Sequence, residues 1–71
     1  MKAIDLNTGE EVKIGSHVTS FRGEDAILLD LCRVNEIYYG GRRSGKVFVQ
    51  WVKDGFKAEY YDNVFNLRVE E

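Results

Sequence analysis

Apolar and polar residues alternate over residues 46–52, with Val47, Val49 and Trp51 on one face of the chain. This period of two, in a run rich in β-branched and aromatic residues, is typical of a β-strand. Asp54-Gly55 follows, and its glycine tolerates the positive φ that a tight hairpin turn requires. The alternation resumes over residues 56–61, so the pattern predicts an antiparallel hairpin.

One tight turn and a closing strand are predicted after this hairpin. Asp62 and Asn63 can accept hydrogen bonds from the backbone amides that follow them, so we expect them to cap a single short turn. That turn would tuck Val64 and Phe65 inward. Apolar and charged residues then alternate over residues 67–70, which predicts the last strand.

The first 25 residues predict three more strands. The pattern alternates over residues 2–6 and 11–14, and the turn signal Asn7-Thr8-Gly9 lies between them. The chain is therefore expected to open with a hairpin. The alternation resumes over residues 17–21, and a polar loop follows over residues 22–25.

Residues 26–38 allow two interpretations. Apolar residues at helical spacing, with Glu24 and Asp25 placed to oppose a helix dipole, indicate a short helix. A long strand requires one register slip, which a bulge or bend near residues 30–33 supplies. We favour the bent strand, because a lone helix would interrupt an otherwise all-β sequence.

Together these elements predict an all-β chain: a small SH3-like barrel of five to six antiparallel strands, with a short 3-10 turn before the last strand. Seventy-one residues, 44% of them hydrophobic, suit one domain over residues 1–71. The single cysteine, Cys32, excludes an internal disulfide and fits a reducing cytoplasm. No run approaches the length of a membrane span, so no membrane partner is expected.

Three segments carry a resemblance to a known family: residues 18–24 (VTSFRGE), 45–49 (GKVFV) and 59–67 (EYYDNVFNL). In these segments the chain resembles short uncharacterised proteins of bacteriophages, especially those that infect actinobacteria. It departs from them at Asp62, where such proteins often carry a proline. The layout more broadly resembles SH3-like barrels, including Tudor and KOW modules. The resemblance implies a phage or prophage gene, acting in the host cytoplasm, and supplies no site residues.

The glycine-rich segment before residue 46 matches GxxxxGK, the front of a phosphate-binding loop. That chemistry needs a serine or threonine next, and then a helix whose amides face the phosphates. Position 47 is valine and opens a predicted strand. We therefore interpret residues 39–45 as a glycine-rich hairpin loop, and expect no nucleotide or other cofactor.

Two binding functions remain open for this loop. Arg42, Arg43 and Lys46 form a basic patch that could hold nucleic-acid phosphates, although the formal net charge of −2 opposes a polyanion. The leading interpretation is protein binding through a surface that also contains Tyr39 and Tyr61, because tyrosine and arginine are enriched at interface hot spots. The chain would be a phage accessory protein that docks on a host or phage protein, as a monomer or weak homo-oligomer.

Other chemistry receives less support from the residues. The chain has six residues suited to an aromatic cage for a methylated cation, but most are needed for the core: Tyr38, Tyr39, Trp51, Phe56, Tyr60 and Tyr61. His17 has no cysteine nearby, so no metal site is expected. Neither nucleophile–base pairs nor patterned carboxylates occur, so the chain is not expected to be an enzyme. We interpret Cys32 as a small buried residue, not a reactive thiol.

Overall fold

A computed structural model describes residues 1–32, 38–39, 42–43 and 45–70, with the backbone alone for residues 38–39 and 42–43. This part of the chain is all-β, with one 3-10 turn. In chain order the strands are β1 (Lys2–Asp5), β2 (Glu11–Val12), β3 (His17–Thr19), β4 (Asp25–Cys32), β5 (Tyr38–Tyr39), β6 (Arg42–Arg43), β7 (Lys46–Trp51), β8 (Lys57–Tyr61) and β9 (Leu67–Glu70). The 3-10 turn, Asp62–Phe65, lies between β8 and β9.

Seven of these strands form two antiparallel sheets, ordered β2-β1-β9 and β3-β4-β7-β8. The other two, β5 and β6, pair only with each other among the described strands. The all-β prediction is confirmed, and so is the 3-10 turn before the last strand. The predicted count of five to six strands was too low, and the two sheets do not close into a barrel within the described residues.

The hairpin of β7 and β8 forms as predicted, with the register running from Lys46 opposite Tyr61 to Gln50 opposite Lys57. Its turn uses Gly55 at a φ of 73°. Such a φ suits glycine because a Cβ would clash there in other residues. The turn is local in origin, which explains why the sequence pattern predicts it.

The predicted opening hairpin also forms, with Ala3 of β1 opposite Val12 of β2. The residues of this segment that face inward are not its most apolar ones. Ala3 is completely buried, whereas Ile4 is half-buried and Ile14 is 54% exposed. The small Ala3 lies between Val12 and Val69 in the three-stranded sheet, where larger side chains of the neighbours supply the apolar volume.

Over residues 25–32 the bent strand is confirmed and the helix is wrong. Leu28 pairs with Val49 and Asp30 with Phe48, so Leu29 is the extra residue of a β-bulge. The bulge lies one residue before the predicted stretch of 30–33. It allows both Leu28 and Leu31 to face the core, which a regular strand would not. The remainder of the predicted strand, residues 33–37, lies outside the described residues.

The core lies between the two sheets and draws on both. Its buried side chains are Ala3, Val18, Ala26, Leu28, Val47, Val49, Phe65, Leu67 and Val69. Val47 and Val49 are completely buried, and Trp51 packs against this cluster, so the face that these three residues share is the inward face of β7.

A buried carboxylate joins the two sheets where β7 begins. One oxygen of Asp62, Oδ2, accepts hydrogen bonds from the amides of Val69 at 2.9 Å and Gly45 at 3.2 Å. The Asp62 amide in turn donates to the Gly45 carbonyl at 3.0 Å. The predicted capping by Asp62 and Asn63 was therefore wrong: the turn has no side-chain cap, and the Asp62 carboxylate bonds instead to amides 7 and 17 residues away.

The 3-10 turn places Phe65 in the core and leaves Val64 half-buried, largely as predicted. It ends at Asn66, whose left-handed backbone, with φ at 54°, redirects the chain into β9. Within the described ranges, no helix has the length and apolar character needed to cross a membrane.

Candidate functional site

An aromatic cleft opens between the β3–β4 turn and the inner face of β7 and β8. Its apolar walls are Phe21, Trp51, Tyr60 and Val64, and it has a volume of about 210 Å³. We call these four residues the aromatic cleft. Its rim consists of the polar residues Ser20, Arg22 and Glu24.

The floor of the cleft is fixed by contacts among three aromatic rings. Trp51 Nε1 donates a hydrogen bond of 2.9 Å to the Tyr60 hydroxyl, and the two rings meet edge to face at 5.4 Å between centroids. Phe65 packs beneath both rings, at 5.5 Å from Trp51 and 6.0 Å from Tyr60. Because the Trp51 N–H has its acceptor within this cluster, the rings present a preformed, mainly apolar surface.

The lip of the cleft is a turn organised by Ser20. The Ser20 hydroxyl oxygen accepts hydrogen bonds from the amides of Arg22 and Glu24, each at 3.2 Å. The amide of Phe21 donates to the Val64 carbonyl at 2.9 Å, which joins the turn to the opposite side of the cleft. The Phe21 side chain is nevertheless 75% exposed. The backbone therefore holds a large apolar side chain in solvent.

Charges at the rim are partly paired. Glu24 accepts a hydrogen bond from Lys53 at 3.1 Å, and this contact raises the pKa of Lys53 above its ordinary value. The Arg22 guanidinium carbon lies 5.6 Å from the centroid of the Phe21 ring, within the range of a cation–π contact. Both contacts are exposed, so they contribute little to stability and remain available to exchange for contacts with a partner.

The five binding residues predicted from sequence are only partly brought together. Lys46 and Tyr61 are direct cross-strand neighbours, and the Lys46 ammonium lies 5.1 Å from the Tyr61 ring centroid. Tyr39 pairs with Arg42 in the β5–β6 hairpin, and Arg43 is the next residue of β6. The side chains of these three residues lie outside the described part of the structure, as do residues 40, 41 and 44 of the predicted loop.

A small polar network surrounds Lys46 on the outer face of the four-stranded sheet. The Cys32 thiol donates to Glu59 Oε2 at 2.9 Å, while Lys46 Nζ lies 3.5 Å from Glu59 Oε1. Burial, followed by the hydrogen bond and negative charge of Glu59, raises the pKa of Cys32 to about 11. The thiol is therefore protonated at neutral pH. Its hydrogen bond in turn lowers the pKa of Glu59, with a smaller contribution from Lys46.

Cys32 is half-buried, so the prediction that it is a small buried residue is only partly accurate. The structure adds a hydrogen bond that the sequence did not indicate. Because thiolate is the reactive form, a thiol held protonated beside a carboxylate is a poor nucleophile.

The GxxxxGK match has a structural explanation that involves no phosphate. Val47 continues into β7, as predicted, and no helix follows. A Cβ built on Gly45 would lie 2.5 Å from Val69 Cβ, so glycine is required by the close approach of β9.

A second cleft, of about 260 Å³, opens between the two sheets and has a more polar lining that includes Asp5, His17 and Asn66. The Asp5 carboxylate accepts a hydrogen bond from the Asn7 amide at 2.8 Å, which stabilises its own turn. Across the described residues, no three His, Cys, Asp or Glu side chains are grouped to hold a metal ion.

The role of Phe21 was not predicted from the sequence. This residue was expected to end a strand over residues 17–21, but β3 ends at Thr19 and Phe21 belongs to a turn. Gly23, at a φ of 81°, follows two residues later and makes this turn possible. The pair of Gly23 and the preceding Ser20 was the available signal, because both residues favour turns.

No protein-family model matches this sequence, and neither does any curated protein or solved structure.

Proposed function

We propose that this chain is a non-enzymatic binding module that docks on a partner protein through the aromatic cleft. The observation that carries this proposal is Phe21, which is 75% exposed at the lip of the cleft while its backbone is fixed by the Ser20 turn. Burying a phenylalanine side chain contributes about 1.5–3 kcal/mol. Because the turn is already formed, little conformational entropy opposes that gain.

The chemistry of the cleft suits one apolar side chain of a partner. Its volume of about 210 Å³ is below the range typical of small-molecule sites, and its walls are mainly aromatic. Arg22 and the pair of Glu24 and Lys53 at the rim can supply polar contacts around this apolar centre. An apolar centre with a polar rim is the usual anatomy of a protein–protein interface.

The wider context of the proposal follows from the sequence resemblance. We infer an SH3-like arrangement, supported by β9, which returns after the 3-10 turn to pair with β1 along its full length. We infer a phage or prophage accessory protein acting in the host cytoplasm on a host or phage protein. Phe21 and Gly23 belong to the Phe-Arg-Gly-Glu segment on which that resemblance rests.

The surface predicted from sequence, with Tyr39, Arg42, Arg43, Lys46 and Tyr61, stays a second candidate contact. One observation weighs against its use for nucleic acid: Glu59 lies beside Lys46 and offsets its positive charge.

The proposal is tested by affinity capture from a lysate of the host bacterium, with and without nuclease. The tagged chain is compared with Phe21→Ser, with the double variant Arg42→Ala/Arg43→Ala, and with Ile14→Ser as a matched control. Ile14 is 54% exposed and does not line the aromatic cleft. We expect a nuclease-resistant protein that the wild type and Ile14→Ser retain and that Phe21→Ser loses.

Retention by Phe21→Ser equal to that of the control would contradict the cleft as the docking site, and an empty wild-type lane would contradict the function. Loss only in the double arginine variant would instead favour the β5–β6 surface. Capture abolished by nuclease would favour the nucleic-acid alternative, which added salt should then also weaken steeply.

A further inference from the structure

Strand β8 is an open edge of the four-stranded sheet. It pairs with β7 on one side, and none of the strands in the described ranges pairs with its other side. Its residues alternate between exposed and half-buried, with Lys57, Glu59 and Tyr61 exposed. An edge strand of five residues carries unpaired backbone donors and acceptors, which form a template for a further strand.

The phase of the β7–β8 ladder shows which backbone groups point outward. The Trp51 amide donates to the Phe56 carbonyl at one end of the ladder, and the Asp62 amide donates to the Gly45 carbonyl at the other. In an antiparallel pair the hydrogen-bonded positions alternate. Ala58 and Tyr60 therefore bond to β7, and the amides and carbonyls of the three exposed residues, Lys57, Glu59 and Tyr61, point to the open edge.

We propose that this edge pairs antiparallel with β8 of a second copy of the chain, with Ala58 at the centre. An antiparallel pair of identical strands has two-fold symmetry, which is the symmetry of most homodimers. In this register, Lys57 of each copy lies directly opposite Glu59 of the other. Both pairs occupy hydrogen-bonded positions, so the outward amides and carbonyls of the two copies are satisfied together.

Charge selects this register over its two neighbours. After a shift by one residue, the outward backbone groups of one strand would face residues whose backbone groups point inward, so only shifts by two residues preserve the hydrogen bonds. The two such shifts centre the pair on Glu59 or on Lys57, and each places two like charges opposite each other, which is unfavourable. With Ala58 at the centre, the closest approach of the two strands involves a small side chain.

The register centred on Ala58 also gives a partner to an exposed aromatic residue. Phe56 is 61% exposed in the isolated chain, and it lies opposite Tyr60 of the second copy. Aromatic cross-strand pairs stabilise sheets. The dimer would join two four-stranded sheets into one continuous sheet of eight strands. Because only about five residues of each copy pair, the interface is small and the dimer is weak.

The first test is sedimentation equilibrium combined with amide hydrogen exchange by NMR, from about 10 μM to about 1 mM, the range expected for a weak interface. We expect the average mass to rise towards the dimer. In the same range, the amides of Lys57 and Glu59 should become protected, whereas those of Ala58 and Tyr60, which already bond to β7, should change little.

The second test exchanges the charges. Lys57→Glu and Glu59→Lys each place like charges opposite one another twice, and each should weaken dimerisation at least about tenfold. The double variant Lys57→Glu/Glu59→Lys restores both opposite-charge pairs and should recover the affinity. Lys13→Glu and Glu10→Lys make the same changes in net charge at exposed positions outside the edge and should have little effect.

The two tests separate the outcomes. A mass that stays monomeric at the highest concentration would overturn the proposal, as would a dimer in which the amides of Lys57 and Glu59 remain unprotected. If Glu59→Gln strengthens the dimer, the register is wrong, because the two Glu59 carboxylates must then lie opposite each other. The double variant, like Glu59→Lys, lacks the Glu59 carboxylate that bonds to Cys32. Its recovery therefore supports the register even if the loss of that bond disturbs Cys32.

Discussion

Replacing Gly45 by alanine should destabilise the fold by an amount that the structure allows to be worked out. Gly45 does not have a positive φ, so alanine suits its backbone and would by itself stabilise the chain by about 0.4–1 kcal/mol. The new Cβ would, however, lie 2.5 Å from Val69 Cβ. To relieve this clash, Val69 of β9 must move about 1 Å further from residue 45, since carbon atoms in contact lie about 3.5 Å apart or more. Overpacking of this kind costs about 1–3 kcal/mol.

The same movement disturbs the carboxylate of Asp62, which bonds to the amides of both Gly45 and Val69. A hydrogen bond to a charged group is worth about 1.5–3 kcal/mol, so weakening one of the two adds to the loss. After subtraction of the entropic gain, we expect Gly45→Ala to lower the free energy of unfolding by about 2–4 kcal/mol. A domain of this size has a total stability of only about 4–11 kcal/mol.

Urea denaturation followed by Trp51 fluorescence measures this loss, because the ring packs against Tyr60 and Phe65 only in the folded state. With a denaturant slope of about 1 kcal/mol per M, the midpoint should fall by about 2 M or more. Val69→Gly removes the opposing Cβ, so the double variant should lose less than the sum of the two single losses.

Gly23→Ala is the matched control, because a Cβ there meets no atom within 4 Å and the cost comes from its φ of 81° alone. Its loss should simply add to that of Val69→Gly. The reasoning is refuted if Gly45→Ala is as stable as the wild type, or if its loss and that of Val69→Gly are additive.

Three further predictions concern Asp62 and Cys32. Asp62→Ala leaves two amides without an acceptor and should lower the free energy of unfolding by about 3 kcal/mol. Asp62→Asn should lower it by only about 1 kcal/mol, because a single oxygen accepts both bonds and asparagine keeps one oxygen. Equal losses in urea denaturation would contradict this geometry. Alkylation of Cys32 at pH 8 should be about 100-fold slower than that of an ordinary cysteine, and Glu59→Gln should accelerate it. Because folding raises the pKa of Cys32 from 9.0 to about 11, the stability of the chain should fall as the pH rises through this interval, and Cys32→Ala should remove that part of the pH dependence; an unchanged profile would contradict it.

The elements that could be predicted from sequence are those with local causes. The β7–β8 hairpin depends on alternation and on Asp54-Gly55, all within sixteen residues, and the hairpin is confirmed. A register slip in β4 was expected because a regular strand would place Leu29 and Leu31 on one face and Cys32 and Val34 on the other. Its exact position at Leu29 depends on the pairing with β7, which lies further along the chain.

The features that could not be predicted depend on contacts between distant segments. Asp62 was interpreted as a local cap because aspartate commonly has that role, yet its partners are Val69 of β9 and Gly45, the residue before β7. Gly45 was interpreted as part of a loop because the approach of Val69 is invisible in sequence. The exposure of Phe21 likewise depends on where β3 ends and on its bond to Val64.

The docking role of the aromatic cleft is tested most directly by photo-crosslinking from the lip. A photoreactive phenylalanine analogue replaces Phe21 in one sample and Ile14 in another, and each is irradiated in lysate of the proposed host bacterium. Both positions are exposed, but only Phe21 lines the cleft. We expect one protein adduct from position 21 that is absent from position 14. No adduct at position 21, or the same adducts at both positions, would contradict it.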